Sequence, residues 1–224
     1  MSSVIIGGDI SGSCTLQAPA VSGSSVLTLP VATDTLVGKA TTDTLTNKTL
    51  TSPAISSAVM TTMASSVITS GTAVASTSGT SINFTSIPSW VKRITVMLNG
   101  VSTSGTSQKL FRLGTGSTTY TTTGYVSTSL FVTGANVGQL SYTDGFNLYN
   151  AVSAADIING SVVFTNITGN TWVCSGMVSQ TVGTLLTVFT NGSIALGAAL
   201  TAVRITSAGG TDTFDAGSIN ILYE

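Results

Sequence analysis

The stretch RITVMLNG, Arg93 to Gly100, decides the fold class. Ile94, Val96 and Leu98 share one face of an extended chain, and Asn99-Gly100 supplies the turn that closes it. Period-two alternation ended by a turn pair is the signature of a half-buried strand. The same texture recurs through the second half of the chain. It marks Ser81–Ile87, ended by Pro88, then Lys109–Leu113, Thr118–Thr122, Ser127–Val132, Gly145–Tyr149 and Ser161–Asn166. Thr171–Val178, Leu185–Phe189, Ala202–Thr206 and Ser218–Tyr223 follow, the last setting Ile219, Ile221 and Tyr223 together. Many short strands at turn-marked intervals, with no long helical period between them, predict an antiparallel all-β domain over 81–224. Its size suits a jelly-roll-like β-sandwich knob.

Upstream the texture changes. Gly12-Ser13-Cys14-Thr15-Leu16-Gln17-Ala18-Pro19 and Gly23-Ser24-Ser25-Val26-Leu27-Thr28-Leu29-Pro30 are two similar units. Each is a Gly/Ser turn leading into a short alternating run that proline ends, which suits a brief edge strand. Between 39 and 80 strand signals thin out. Thr44-Leu45-Thr46-Asn47-Lys48-Thr49-Leu50-Thr51 is nearly palindromic about Asn47-Lys48, the pattern of a tight hairpin. Yet Asn-Lys is a weak primed turn, and a lone hairpin is marginal in water. Leu45, Leu50 and Ile55 are spaced by five, which fits neither the helical nor the strand period and favours an extended arm seating single side chains in separate pockets. Met60, Met63 and Val67 have the spacing of one short helical seam, among Ser and Thr that form helices poorly. Ser70–Thr80 reads as a linker. The expected organisation is an arm with short β units over 1–80, then the knob over 81–224.

Composition restricts function. Charged residues make up 7% of the 224, Lys+Arg 7 against Asp+Glu 8, where a quarter is usual. Nucleic-acid binding needs clustered Lys and Arg and is not expected. Apolar residues never run together for the ~20 positions that a membrane helix needs, and aromatics at 6% are too few for porin girdles, so no membrane insertion is expected. The opening MSSVIIGGDISG has neither a basic n-region nor a long apolar core, which predicts a chain made in the cytoplasm. Near-zero net charge removes a guard against association, so the chain reads as an oligomer.

Catalytic groups are scarce. With no His in the sequence, no Ser-His-Asp or Cys-His arrangement exists and no imidazole can bind zinc. Glu224 is the single Glu, which excludes Glu/Glu glycosidase chemistry. Cys14 and Cys174 stand far apart, and Cys174, two residues from Trp172, reads as a small buried hydrophobe. Asp212 and Asp215 in GGTDTFDAG admit two readings, hard-cation ligands or turn residues before a last strand, and composition favours the turn. Gly114-Thr115-Gly116 lacks a third glycine and a βαβ context, so it reads as a turn. Lys92-Arg93 after Trp90 reads as a solvated pair. Tyr120, Tyr125 and Tyr142 read as partly buried or interfacial, with stacking on sugar rings the alternative. No enzyme, metal or cofactor is expected.

Thr33-Asp34-Thr35-Leu36-Val37-Gly38, followed by Asp43-Thr44-Leu45-Thr46-Asn47-Lys48-Thr49-Leu50-Thr51-Ser52-Pro53, resembles a module widespread in virion proteins of tailed bacteriophages. The later part looks like a phage C-terminal module. Its pieces are Gly79-Thr80-Ser81-Ile82-Asn83-Phe84, Ile87-Pro88-Ser89-Trp90-Val91-Lys92-Arg93-Ile94, and the ending Asp212–Glu224. The resemblance implies a homotrimeric structural protein of the virion with a virion-bound arm and an outward knob. Leu36, Leu45, Asn47, Leu50 and Ile55 are the expected attachment residues. Two classes follow from it. One is a capsid decoration or head fibre gripping the major capsid protein, which the short, shaftless chain favours. The alternative is a tail fibre, bound to tail proteins, whose knob recognises a host surface glycan. A glycan-degrading tailspike would want a longer body and clustered acids.

Overall fold

The computed structural model describes residues 3–7, 11–17, 49, 51, 68–148, 153–181 and 185–224. The chain divides into two compact units, Met1–Val59 and Met60–Glu224. In the first, β1 (Ser3–Gly7) and β2 (Ser13–Gln17) form an antiparallel hairpin in which Ser3 pairs with Gln17 and Gly7 with Ser13. The expected short strand after Gly12 is therefore present, and Gly12 turns into it with φ 82°. The companion unit at 23–30 lies outside the described residues, as do the Asn47-Lys48 turn and the Met60–Val67 seam.

The second unit carries thirteen strands among its described residues and, among those residues, no helix. In chain order they are β3 (Thr69–Ser70), β4 (Val74–Ala75), β5 (Ser81–Phe84), β6 (Arg93–Thr103) and β7 (Lys109–Gly114). Then come β8 (Val126–Thr133), β9 (Val137–Tyr142), β10 (Phe146–Asn147), β11 (Ile157–Thr168) and β12 (Thr171–Thr181). β13 (Leu186–Ala195), β14 (Ala202–Ser207) and β15 (Phe214–Tyr223) complete the set. All pairings are antiparallel. One sheet has the order β10-β7-β14-β5; the larger runs β3-β15-β6-β11-β12-β13-β8-β9, with β4 also on β15. The pairings β5·β14, β6·β11, β7·β10 and β8·β9 nest inside one another along the chain.

Both sheets contribute to one core. Alternation in β6 buries Ile94, Val96 and Leu98, as the sequence predicts. They join Val162, Phe164, Trp172, Cys174 and Val188 of the larger sheet and Phe84, Phe111, Leu113, Val203 and Ile205 of the smaller. Phe164 ties the two together, meeting Phe111 edge-on at 5.5 Å and Phe146 at 5.6 Å. Three glycines crease the larger sheet where its ladder shifts register. Gly160 (φ 139°) and Gly217 (φ 91°) sit at bulges opposite β6, and Gly100 (φ 66°) lies beneath them. A Cβ at Gly217 would overlap the Gly100 backbone, so the crease admits no side chain there.

Three expectations differ. Thr118–Thr122 is not a strand: only Tyr120 bridges, to Gly114, because the run offers one apolar side chain and it is used on the outer side of the smaller sheet. The strand β9 carries no alternation in the sequence because its inward set begins with Gly138, under Phe131, whose ring leaves no room for a Cβ. Ser70–Thr80, expected as a linker, belongs in part to the sheet. Ser70 pairs with Leu222, and Val74 with Ile219.

Candidate functional site

The two sheets present very different outer faces. On the smaller one, Leu110, Ala202, Thr206 and Asn147 point away from the core and are nonetheless buried, Leu110 to 0% exposure. Loops cover them. A Cβ at Gly145 would sit 2.8 Å from Leu110 Cδ1, and one at Gly114 2.7 Å from the Thr119 carbonyl, so the covering segments lie directly on the sheet. The arginines here are held locally. Arg112, directly opposite Arg204, donates from Nε to the Asp144 carbonyl at 2.9 Å and pairs with its carboxylate at 3.5 Å. Arg204 stacks over Tyr120 at 3.9 Å and donates to Asn83 Oδ1.

Among the described residues, no segment covers the outer face of the larger sheet. One register row reads Met97, Ser161, Met177, Phe189, Leu130, Gln139 across β6, β11, β12, β13, β8 and β9. The row beside it reads Thr95, Val163, Ser175, Asn191, Thr128, Ser141; beyond the first lie Ser179, Thr187, Val132 and Val137. None of these residues is charged. Met177 is 56% exposed and Phe189, its cross-strand neighbour, 37%. Two adjoining recesses open on this face. One of about 320 Å³ lies at the Gly160 bulge among Asn159, Met177, Ser179 and Thr187, and one of about 210 Å³ is flanked by Val132, Leu185 and Thr187.

The opposite flank of the same sheet ends in a corner where Trp90 stands 51% exposed, its ring 6.0 Å from that of Tyr223. Arg93 pairs with Glu224 at 3.1 Å, and Lys92 Nζ donates to Asn166 Oδ1. These two cations, read from sequence as merely solvated, are each tied to a neighbour. A shallow recess of about 190 Å³ lies between Ile68, Arg93, Leu222 and Glu224.

The remaining candidates sit apart from either surface. Asp212 accepts from the Ser107 N–H at 2.9 Å and so staples one loop to another, as a turn residue does. Among the described residues no group of His, Cys, Asp and Glu is placed to hold a metal ion. Cys174 is buried, and burial pushes its thiol far above the ordinary range. Tyr125 is buried with its hydroxyl accepting from the Leu113 N–H at 2.8 Å, and burial pushes its pKa up to about 12. Tyr120 has its ring covered by Arg204, and the Tyr142 hydroxyl accepts from Gln108. Lys109 is the surprise. It is 1% exposed, its Nζ has no hydrogen-bond partner among the described residues, and burial lowers its pKa against the opposing fields of Asp156, Asp212 and Asp215. Leu36, Leu45, Asn47, Leu50 and Ile55 lie outside the described residues. Comparison of the chain with family models, curated proteins and solved structures gives no match.

Proposed function

We propose that the chain is a structural protein of a tailed-phage virion, a trimeric capsid decoration or head fibre. The Met1–Val59 unit acts as its attachment arm and the Met60–Glu224 unit, whose larger sheet takes in β3 and β4 from the stretch expected as a linker, as a displayed knob. The observation that carries this reading is the unequal clothing of the two sheets. A knob that covers one outer face with its own loops and leaves the other bare and uncharged is built to pack against protein. The nested strand pairings favour a jelly roll whose seventh strand is widened into the meander β11–β12–β13, with β15 added beside β6. The resemblance of Thr33–Gly38 and Asp43–Pro53 to phage virion modules supports an arm that grips the shell through Leu36, Leu45, Asn47, Leu50 and Ile55. The absence of His from the whole sequence accords with a non-catalytic role.

The test is the amount of this protein in purified particles, measured by quantitative mass spectrometry against the major capsid protein. A capsid decoration gives a copy number of the same order as the capsid protein. A few copies per particle would transfer the assignment to a tail fibre, and absence from the particle would end the virion reading.

A further inference from the structure

We infer that copies of this chain assemble head-to-tail, the Trp90 corner of one seated on the bare face of the next. The inference rests on the trimeric reading above and assigns the surfaces that make it. A bare sheet face that met only its own copy would give a two-fold, isologous pair and leave the Trp90 corner in water. A closed ring instead requires two different patches on each chain. The knob has two. The Met177–Phe189 face spans β12, β13 and β8, and the Trp90 corner sits on the β6/β15 flank of the same sheet.

Size and chemistry fit a second copy. Five strands at ~4.8 Å and about eight residues of ~3.3 Å give the outer face from β11 to β9 roughly 630 Å², within the ~600–1,000 Å² per partner of a specific interface. An exposed Trp beside a Tyr is the residue type that anchors interfaces, and the recess at the Gly160 bulge, about 320 Å³, is a pocket for such an anchor. Charge raises no obstacle, because the receiving rows are uncharged, Arg93 is neutralised by Glu224 and Lys92 is engaged by Asn166. The Arg93–Glu224 pair then falls at the rim, where exposed ion pairs contribute little.

Sedimentation equilibrium on the full chain tests this with two variants, Met177→Glu/Phe189→Glu on the face and Trp90→Glu at the corner. All three changes are at exposed positions, and an unchanged β-type circular dichroism spectrum confirms folding; Thr187→Lys is a second face variant. The unaltered chain is expected at three chain masses and each variant at one, 22.5 kDa. An equimolar mixture of the two variants should form dimers, since it retains one intact face and one intact corner. A monomeric unaltered chain, a folded variant that remains trimeric, or a mixture that stays monomeric at high concentration overturns the inference. Particle binding is scored separately. A trimer that does not bind particles refutes the virion reading alone, and a particle-bound monomer refutes the ring alone.

Discussion

Replacing Phe164 by Ala should be among the most damaging single changes in the knob. The side chain is 0% exposed and lies between the sheets, with Phe111 at 5.5 Å and Phe146 at 5.6 Å. Truncating a buried Phe to Ala costs about 3–5 kcal/mol, through lost transfer energy and the cavity left behind. Two ring contacts add ~0.5–1.5 kcal/mol each beyond buried area, which places this site at the upper end, about 5 kcal/mol. For a domain of this length each kcal/mol shifts the melting temperature by about 2–4 °C, so a fall of roughly 10–20 °C is expected. Phe164→Leu, which keeps most of the volume, should cost about 1.5 kcal/mol and remain folded if the Ala variant does not. Thr165→Ala is the internal control. It is the next residue, exposed on the opposite face, and should stay within ~0.5 kcal/mol. Thermal melts at one fixed chain concentration measure all three. If Phe164→Ala melts with Thr165→Ala, the two sheets do not share the core described and the reasoning fails.

The crease predicts that Gly217→Ala is far worse than Gly210→Ala, although both glycines have positive φ. Gly210 faces open space and should lose about 1 kcal/mol, whereas a Cβ at Gly217 also overlaps the Gly100 backbone; urea titration of the two variants gives the ranking. In a Cys14→Ser variant the remaining thiol, Cys174, should be inert to a disulfide reagent until the chain unfolds, because burial holds it protonated; prompt reaction in native buffer would contradict its placement. Lys109 predicts a pH dependence of stability. Its folded pKa lies below the unfolded value of 10.5, so the folded chain holds fewer protons between the two values and this group's contribution rises with pH across that window. Tyr125 acts in the opposite sense, stabilising fully below pH 10 and losing that contribution as pH climbs toward about 12. Urea unfolding at increasing pH below 10.5 should therefore show the unaltered chain gaining stability relative to Lys109→Met, and parallel profiles would contradict the burial of this amine.

The strands that the sequence announces are those whose inward positions carry large apolar side chains. β6, β11, β12, β14 and β15 are visible because alternation of Ile, Val, Leu and Phe is itself the mark of a sheet packed on one side. β9 is invisible for the complementary reason: Gly138 must be small so that Phe131 can lie over it, and glycine erases the alternation. Thr118–Thr122 misleads in the other direction, since Thr and Tyr favour strands while Tyr120 is taken up by Arg204. The short edge strands β3 and β4 carry almost no pattern of their own and exist because β15 offers an open edge.

The candidate surface was legible only as a tendency. Low charge says that a chain is inclined to associate, but it does not say where, because the ten charged residues of the Met60–Glu224 unit are scattered along the sequence, singly or as the one Lys92-Arg93 pair, and form no run that marks a surface. Folding sorts them. Arg112, Asp144 and Arg204 go to the sheet that loops cover, Lys109, Asp156 and Asp212 to the interior end, and Arg93 with Glu224 to a corner. What remains from β11 to β9 is a face of Ser, Thr, Asn, Val, Met and Phe with no charge among its described residues to oppose a protein partner. Alternation predicts which residues point outward, yet not that one outward face is roofed by the loops that carry Thr119 and Gly145 while the other, among the described residues, is open. The roof depends on contacts between segments distant in sequence, and no local pattern encodes it. The asymmetry lies in where the few ionic groups go: Arg112 and Arg204 are held by Asp144 and Tyr120 on the outer side of the smaller sheet, while Met177 stands exposed among uncharged neighbours on the larger.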